Sequence, residues 1–148
     1  MTKEDRLLLV KDLSARLPYG VEIEHIKSGM RGVLHALHVY PMYDDDDNIF
    51  DCVCHTDFFG DGDSFDISEF KPYLFPMSSM TEEQHEELFT CVHNAEMNEI
   101  VSSGDYLKAA YIGENTKRDW LLKNHFDCMG LIPKDLALNA TGKNIYGL

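Results

Sequence analysis

Two short runs carry the residue types that hold soft metal ions: Cys52-x-Cys54-His55 and His125-x-x-Cys128. Thiolate and imidazole together make the four-coordinate sites that zinc prefers, so Cys52, Cys54, His125 and Cys128 are one candidate ligand set. With Asp57 beside them, His55, His125 and Cys128 would suit a metal-dependent hydrolase, since imidazole works as a general acid or base near neutral pH. The spacing follows no established zinc pattern. In a strand, Cys52 and Cys54 point to one face, where free cysteines pack as small hydrophobes. Core packing is therefore the expectation and no cofactor is implied; zinc, with His55, Asp57 and His125 as a catalytic set, is the alternative.

Asp57, Asp61, Asp63, Asp66 and Glu69 invite a calcium interpretation, but the register fails. Counting from Asp61, the sixth position is Asp66 where glycine is needed, and Pro72 stands in place of the bidentate glutamate. Asp and Gly in Gly60-Asp-Gly62 instead suit a solvated hairpin. His35 and His38, with His25 and His55 nearby, are an odd number of residues apart, which sends them to opposite faces of a regular strand. No nucleophile elbow, phosphate-cradling glycine loop, dinucleotide fingerprint or His-Glu-x-x-His pair occurs.

A third constellation suits binding. Tyr43 precedes the acidic run Asp44, Asp45, Asp46 and Asp47, and Tyr73 and Phe75 sit in an aromatic, methionine-containing connector. Aromatics and methionine are enriched at interface centres, and the acids would steer a basic partner. These seven residues are the expected contact surface. The whole chain supports that direction: 26 acids against 13 Lys and Arg give a net charge of -13. Such a balance argues against binding nucleic-acid phosphates, which needs clustered Lys and Arg, and favours basic protein surfaces. Nucleic-acid mimicry would further require carboxylates at phosphate-like spacing on one face, and sequestering a small ligand is the other binding alternative.

A chain of 148 residues with 44% hydrophobic residues and a mean hydropathy of -0.29 is expected to form one soluble domain. No apolar run approaches the roughly 20 residues of a membrane span. The opening Met-Thr-Lys-Glu-Asp-Arg is too acidic for a signal peptide, and four cysteines without a Cys-x-x-Cys pair suit a reducing compartment. The expected location is the cytoplasm of a bacterial host cell, with no membrane partner.

The elements that must position these residues follow from pattern. Residues 2–17 predict a helix capped by Thr2 and Asp5, with Leu9, Val10, Leu13 and Leu17 on one stripe. Strands follow over 21–26, 32–40 (ending at Pro41), 48–58 and 64–70, as an antiparallel meander. Residues 71–76 read as a stiff connector, because its prolines remove two backbone donors. Thr81-Glu-Glu-Gln84 opens a helix through about Val101, and Asp105 caps a shorter one that Gly113 ends. Thr116 is expected to cap a last helix carrying Trp120 and Phe126 toward Gly130, with Leu131-Ile132 extended before Pro133. Asp119 to Leu138, which holds the only tryptophan, is expected to be the plug of the fold, and 139–148 a loose tail. The predicted class is α+β: a small antiparallel sheet or partly closed barrel of about four strands, an N-terminal helix and C-terminal helices. Its parts are 1–70 helix plus meander, 71–80 connector, 81–138 helical part and 139–148 tail.

Two blocks carry a family resemblance over about two fifths of the chain. Lys71-Pro-Tyr-Leu-Phe-Pro-Met-Ser-Ser-Met-Thr81 is one. Asp119-Trp-Leu, His125-Phe-Asp, Gly130-Leu-Ile and Leu136-Ala-Leu138 form the other. They resemble a family of small uncharacterised proteins of phages and prophages of gut Bacteroidetes. An arginine usually stands there at the position of Phe75, and Tyr-Arg at Cys128-Met129, so an anion-binding role does not carry over. The resemblance implies a mobile-element origin. Together with the charge, it gives the expected function: a non-enzymatic acidic protein that binds a basic host protein, or sequesters a small ligand, as a counter-defence device.

Overall fold

The computed structural model describes residues 1–42, 49–56 and 65–147, with side chains described for 1–38 and 66–147. The chain forms two compact units, Met1–Leu74 with Met129–Leu148, and Phe75–Cys128. The class is α+β.

The first unit begins with α1 (Lys3–Arg16), whose start is closed by the reciprocal Thr2 and Asp5 capping box. Among the described residues six strands follow: β1 (Glu22–His25), β2 (Arg31–Met42), β3 (Ile49–Thr56), β4 (Phe65–Asp66), β5 (Phe70–Leu74) and β6 (Leu138–Asn139). They lie in the order β4-β3-β2-β1-β5-β6 as an open sheet, so the partly closed barrel does not form. Four strands carry the sheet, and two-residue strands finish its edges. Every pairing is antiparallel except that of β5 with β6. Leu9 and Leu13, one helical turn apart, pack with Val21, Ile23, Leu34, Ile67, Phe70, Leu74, Leu131, Leu136 and Ala137 in one buried cluster. Full burial of such a side chain is worth about 1.5–3 kcal/mol, which ties the helix to the sheet.

Strand β2 does not stop at Pro41 but runs to Met42, with Pro41 opposite Phe50. The fourth strand predicted over 64–70 is split. Asp66 accepts a hydrogen bond from the Ser68 N–H and opens a single 3-10 turn over Ile67–Glu69. The chain then enters β5 beside β1, so the meander ends at β4. Residues 70–74 are thus an interior strand, not a connector. Pro72 lies opposite Ile23, and the pairing with β6 begins only at Tyr73. A missing N–H directed away from β1 therefore costs no ladder bond. Leu131–Asp135 is a run of turns rather than extended chain, with the Lys134 N–H on the Leu131 carbonyl (3.2 Å) and the Asp135 N–H on that of Ile132 (3.0 Å). The expected loose tail is packed instead: Ala140 is buried and its N–H bonds the Leu74 carbonyl at 2.9 Å. The Tyr146 hydroxyl donates to the Tyr73 carbonyl at 2.6 Å and accepts from the Glu22 N–H at 3.2 Å.

The second unit is a helical hairpin, α2 (Glu82–Ser103) and α3 (Tyr106–Lys123). Thr81 and Gln84 form the predicted capping box, and Gly104, at φ 67°, ends α2. Asp105 caps α3 through the Lys108 N–H at 3.0 Å. Gly113 does not end this helix, and Thr116 does not start another. A Cβ on Gly113 would fall 2.1 Å from Glu96 Oε1, so glycine leaves room for the Glu96 side chain against α3. Thr116 donates its hydroxyl to the Ile112 carbonyl at 2.8 Å inside the helix. Beyond α3, Phe75 and Phe126 form a parallel bridge: the Phe75 N–H bonds the His125 carbonyl (2.9 Å) and the Asp127 N–H bonds that of Phe75 (2.8 Å). Met80, Trp120, Leu121 and Phe126 make the unit's core, with Phe75, Leu88, Cys91 and Cys128 at its edge. The stretch expected to plug the fold thus supplies Trp120, Leu121 and Phe126 to this unit and Leu131, Leu136 and Ala137 to the other.

Candidate functional site

The second unit presents the most distinctive surface. Every charged residue of α2 is a glutamate, at positions 82, 83, 86, 87, 96 and 99, and the helix contains no Lys or Arg. Glu82 and Glu83 favour the helix N-terminus through the backbone dipole, but Glu86, Glu87 and Glu96 lie beyond its first turn. Glu99 is drawn back to α3, pairing with Lys108 at 2.7 Å. The hydrogen bond from Lys108, with a second from Ser103, holds the Glu99 carboxyl below the ordinary range.

On the same helix, Phe89, Met97 and Val101 are exposed, Val101 to 83% and Phe89 to 70%, and no α2 residue is fully buried. Positions 89, 93, 97 and 101 follow at one-turn intervals and so form a slowly turning stripe. His93 fills the second place, its ring stacked on that of Phe89 at 5.8 Å and 8°. Glu82 and Glu86 continue that side toward the N-terminus, seven and three residues before Phe89. Around the Gly104 turn, Tyr106 and Leu107 are exposed as well, and Tyr111 follows on α3. An acidic helix with an uncovered apolar stripe has the composition of a binding surface.

The expected contact surface is only partly described. Tyr43 and Asp44 to Asp47 lie outside the described residues, as does Asp57. Tyr73 is 5% exposed and so presents almost no surface of its own. Its hydroxyl donates to the Glu24 carboxylate, and Arg31 (5.9 Å) and Lys143 (5.4 Å) lie over its ring. Burial, then the bond to Glu24, pushes the phenol up to about 12. Phe75 is half-buried, its ring 6.0 Å from that of Phe126, so it serves the core of its unit.

Cys52 and Cys54 of β3 pair with Val39 and Leu37 of β2 in the backbone ladder. The side chains of Cys52, Cys54 and His55 lie outside the described residues. His125 and Cys128 belong to the second unit; His125 is buried at φ 61°, and Cys128 is half-buried at the edge of that unit's core. Among the described residues, no three His, Cys, Asp or Glu side chains gather where a metal ion could sit. Of the calcium set, Asp66 binds the Arg6 guanidinium and Glu69 pairs with Lys27 at 3.3 Å. Burial opposes ionisation of Asp66, but the bonds from Arg6 and Ser68 outweigh it and hold the carboxyl well below the usual range. His25 is buried against Phe70, its Nδ1 2.8 Å from Ser28 Oγ across the β1–β2 hairpin. His35 and His38 are both exposed, against the expectation of opposite faces. A bulge between Leu34 and Ala36 inserts one residue into β2, so parity resets and Leu34 and Leu37 both meet the core.

The exposed α2 stripe was not among the residues picked from sequence. Its signal was present as a residue of the pattern: Leu88, Cys91, Val92 and Ala95 account for one apolar side of α2, leaving Phe89, Met97 and Val101 on positions that side does not reach. No protein-family model matches the chain, nor does any curated protein or solved structure.

Proposed function

We propose that this chain is a non-enzymatic acidic binding protein whose partner is a basic protein. The proposal includes a phage or mobile-element origin and action in the bacterial cytoplasm, where capturing a basic host protein would blunt a defence. One observation carries it: a 22-residue helix with six glutamates and no Lys or Arg of its own, only Glu99 being paired with a base of α3, in a chain of net charge -13. Such a surface accelerates encounter with positive partners and repels nucleic acid and anionic lipid. None of the described helices is long and apolar enough to cross a membrane.

Affinity capture from bacterial lysate tests this. The immobilised chain is expected to enrich proteins of high isoelectric point at about 0.05 M salt and release them at about 0.5 M, where screening lengths fall to a few ångströms. Replacing Glu82, Glu83, Glu86 and Glu87 by Gln should reduce the yield. Capture of proteins no more basic than the lysate, unchanged by salt and by the four substitutions, would remove the proposal.

A further inference from the structure

We infer that the outer side of α2 is a docking face for a basic amphipathic helix, an inference that rests on the function proposed above. Scattered apolar residues on a surface need no explanation, but Phe89, Met97 and Val101 recur at helical spacing on one element that buries nothing fully. From position 89 to 101 the stripe rises about 18 Å, the length of a partner helix of three to four turns. Single side chains at one-turn intervals are how an amphipathic helix is recognised along a complementary helix.

Charge selects the occupant. A second copy of this chain would bring no base to Glu82, Glu83, Glu86 and Glu87, since α2 holds no Lys or Arg, and like charges brought together on helix surfaces are destabilising. An acidic or neutral helix would leave Glu82 and Glu86 facing no counter-charge at one end of the stripe. A helix with Leu-type residues on one stripe and Lys or Arg beside it satisfies both halves: its bases meet Glu82, Glu83, Glu86 and Glu87, and its apolar residues cover Phe89, Met97 and Val101. The exposed imidazole of His93, stacked on Phe89, contributes a flat surface between Phe89 and Met97.

The test uses the full chain and three labelled peptides of about 18 residues: a Leu/Lys amphipathic helix, a scramble of the same composition, and the Leu/Glu counterpart. By fluorescence anisotropy at about 0.15 M salt, the Leu/Lys helix should bind one per chain, at least roughly tenfold more tightly than the scramble. Phe89→Ser with Val101→Ser should weaken it roughly tenfold or more, while Tyr111→Ser on α3 leaves it unchanged. All of these positions are exposed, and far-UV circular dichroism checks that the variants keep their helices. Equal binding of the scramble, with no effect of the stripe substitutions, would overturn the docking face and leave a charge-only binding protein. Failure of every Lys peptide to bind would overturn both. Equal binding of the Leu/Glu peptide, or a concentration-dependent dimer in sedimentation that Val101→Ser abolishes, would overturn the choice of occupant.

Discussion

Asp12 and Arg16 give the sharpest stability test. Both side chains are fully buried, one helical turn apart on α1, with Arg16 Nε 2.7 Å from Asp12 Oδ2 and Nη2 3.0 Å from Oδ1. This two-pronged geometry is the strongest form an ion pair takes. Two charges brought out of water recover their desolvation cost only while both are present. Asp12→Ala therefore leaves a guanidinium buried without its carboxylate, a loss of about 3–5 kcal/mol, and Arg16→Met leaves the converse. Set against the roughly 5–15 kcal/mol that separates folded from unfolded domains, either single change should unfold a large share of the molecules in mild denaturant. The double variant Asp12→Leu/Arg16→Met removes both charges and fills the space with apolar atoms. It should return to within about 1 kcal/mol of the parent, or exceed it. Urea titration followed by circular dichroism gives the four free energies of the cycle, and hydrogen exchange at the α1 amides localises the effect to the first unit. Single variants costing less than about 1 kcal/mol, as surface pairs do, would refute the burial argument. So would a double variant whose cost equals the sum of the singles.

Three further outcomes follow from named contacts. Asp66 has its carboxyl depressed in the folded state, so its contribution is complete above the unfolded value near 3.8 and is lost as pH falls through the folded one. Asp66→Asn should accordingly flatten the acid limb of a stability-against-pH curve; an unchanged limb would dismiss the Arg6 pairing in solution. Tyr73 has the opposite sign: its phenol is raised from 10.0 to about 12, so its contribution is complete below pH 10 and is lost as pH rises toward 12. Tyr73→Phe should remove that part of the alkaline limb, read by absorbance of ionised tyrosine against unfolding. Thr81→Ala removes half of the capping box of α2 and should cost about 1 kcal/mol, seen as faster exchange of the first-turn amides and an earlier transition in Trp120 fluorescence.

What could be foreseen from sequence was what depends on near neighbours. Thr2 with Asp5, Thr81 with Gln84 and the Asp105 cap are each settled within four residues, and all three form as expected. Choices between distant partners were not legible. Whether β5 pairs with β4 or β1 is decided by the shared core of Phe70, Leu74 and Ile23, not by the prolines, which argued for a connector. Gly113 and Thr116 have the chemistry of helix ends, yet the nearness of Glu96 and a hydroxyl bond to Ile112 give each a role inside α3. The bulge at His35 and the docking of Tyr146 onto Tyr73 depend equally on contacts far along the chain. For the site, acidity was plain from composition. Which acids share a face with exposed apolar residues needed the assignment of the inner side of α2.

The central claim, recognition of a positive amphipathic partner along α2, is tested most directly by stopped-flow association of the intact chain with the Leu/Lys helix over a range of salt. The account predicts an association rate that falls steeply with ionic strength, a slope flattened by Glu→Gln at 82, 83, 86 and 87, and faster dissociation when Phe89 and Val101 become serine. An association rate indifferent to salt, with both sets of substitutions leaving the kinetics unchanged, would contradict it.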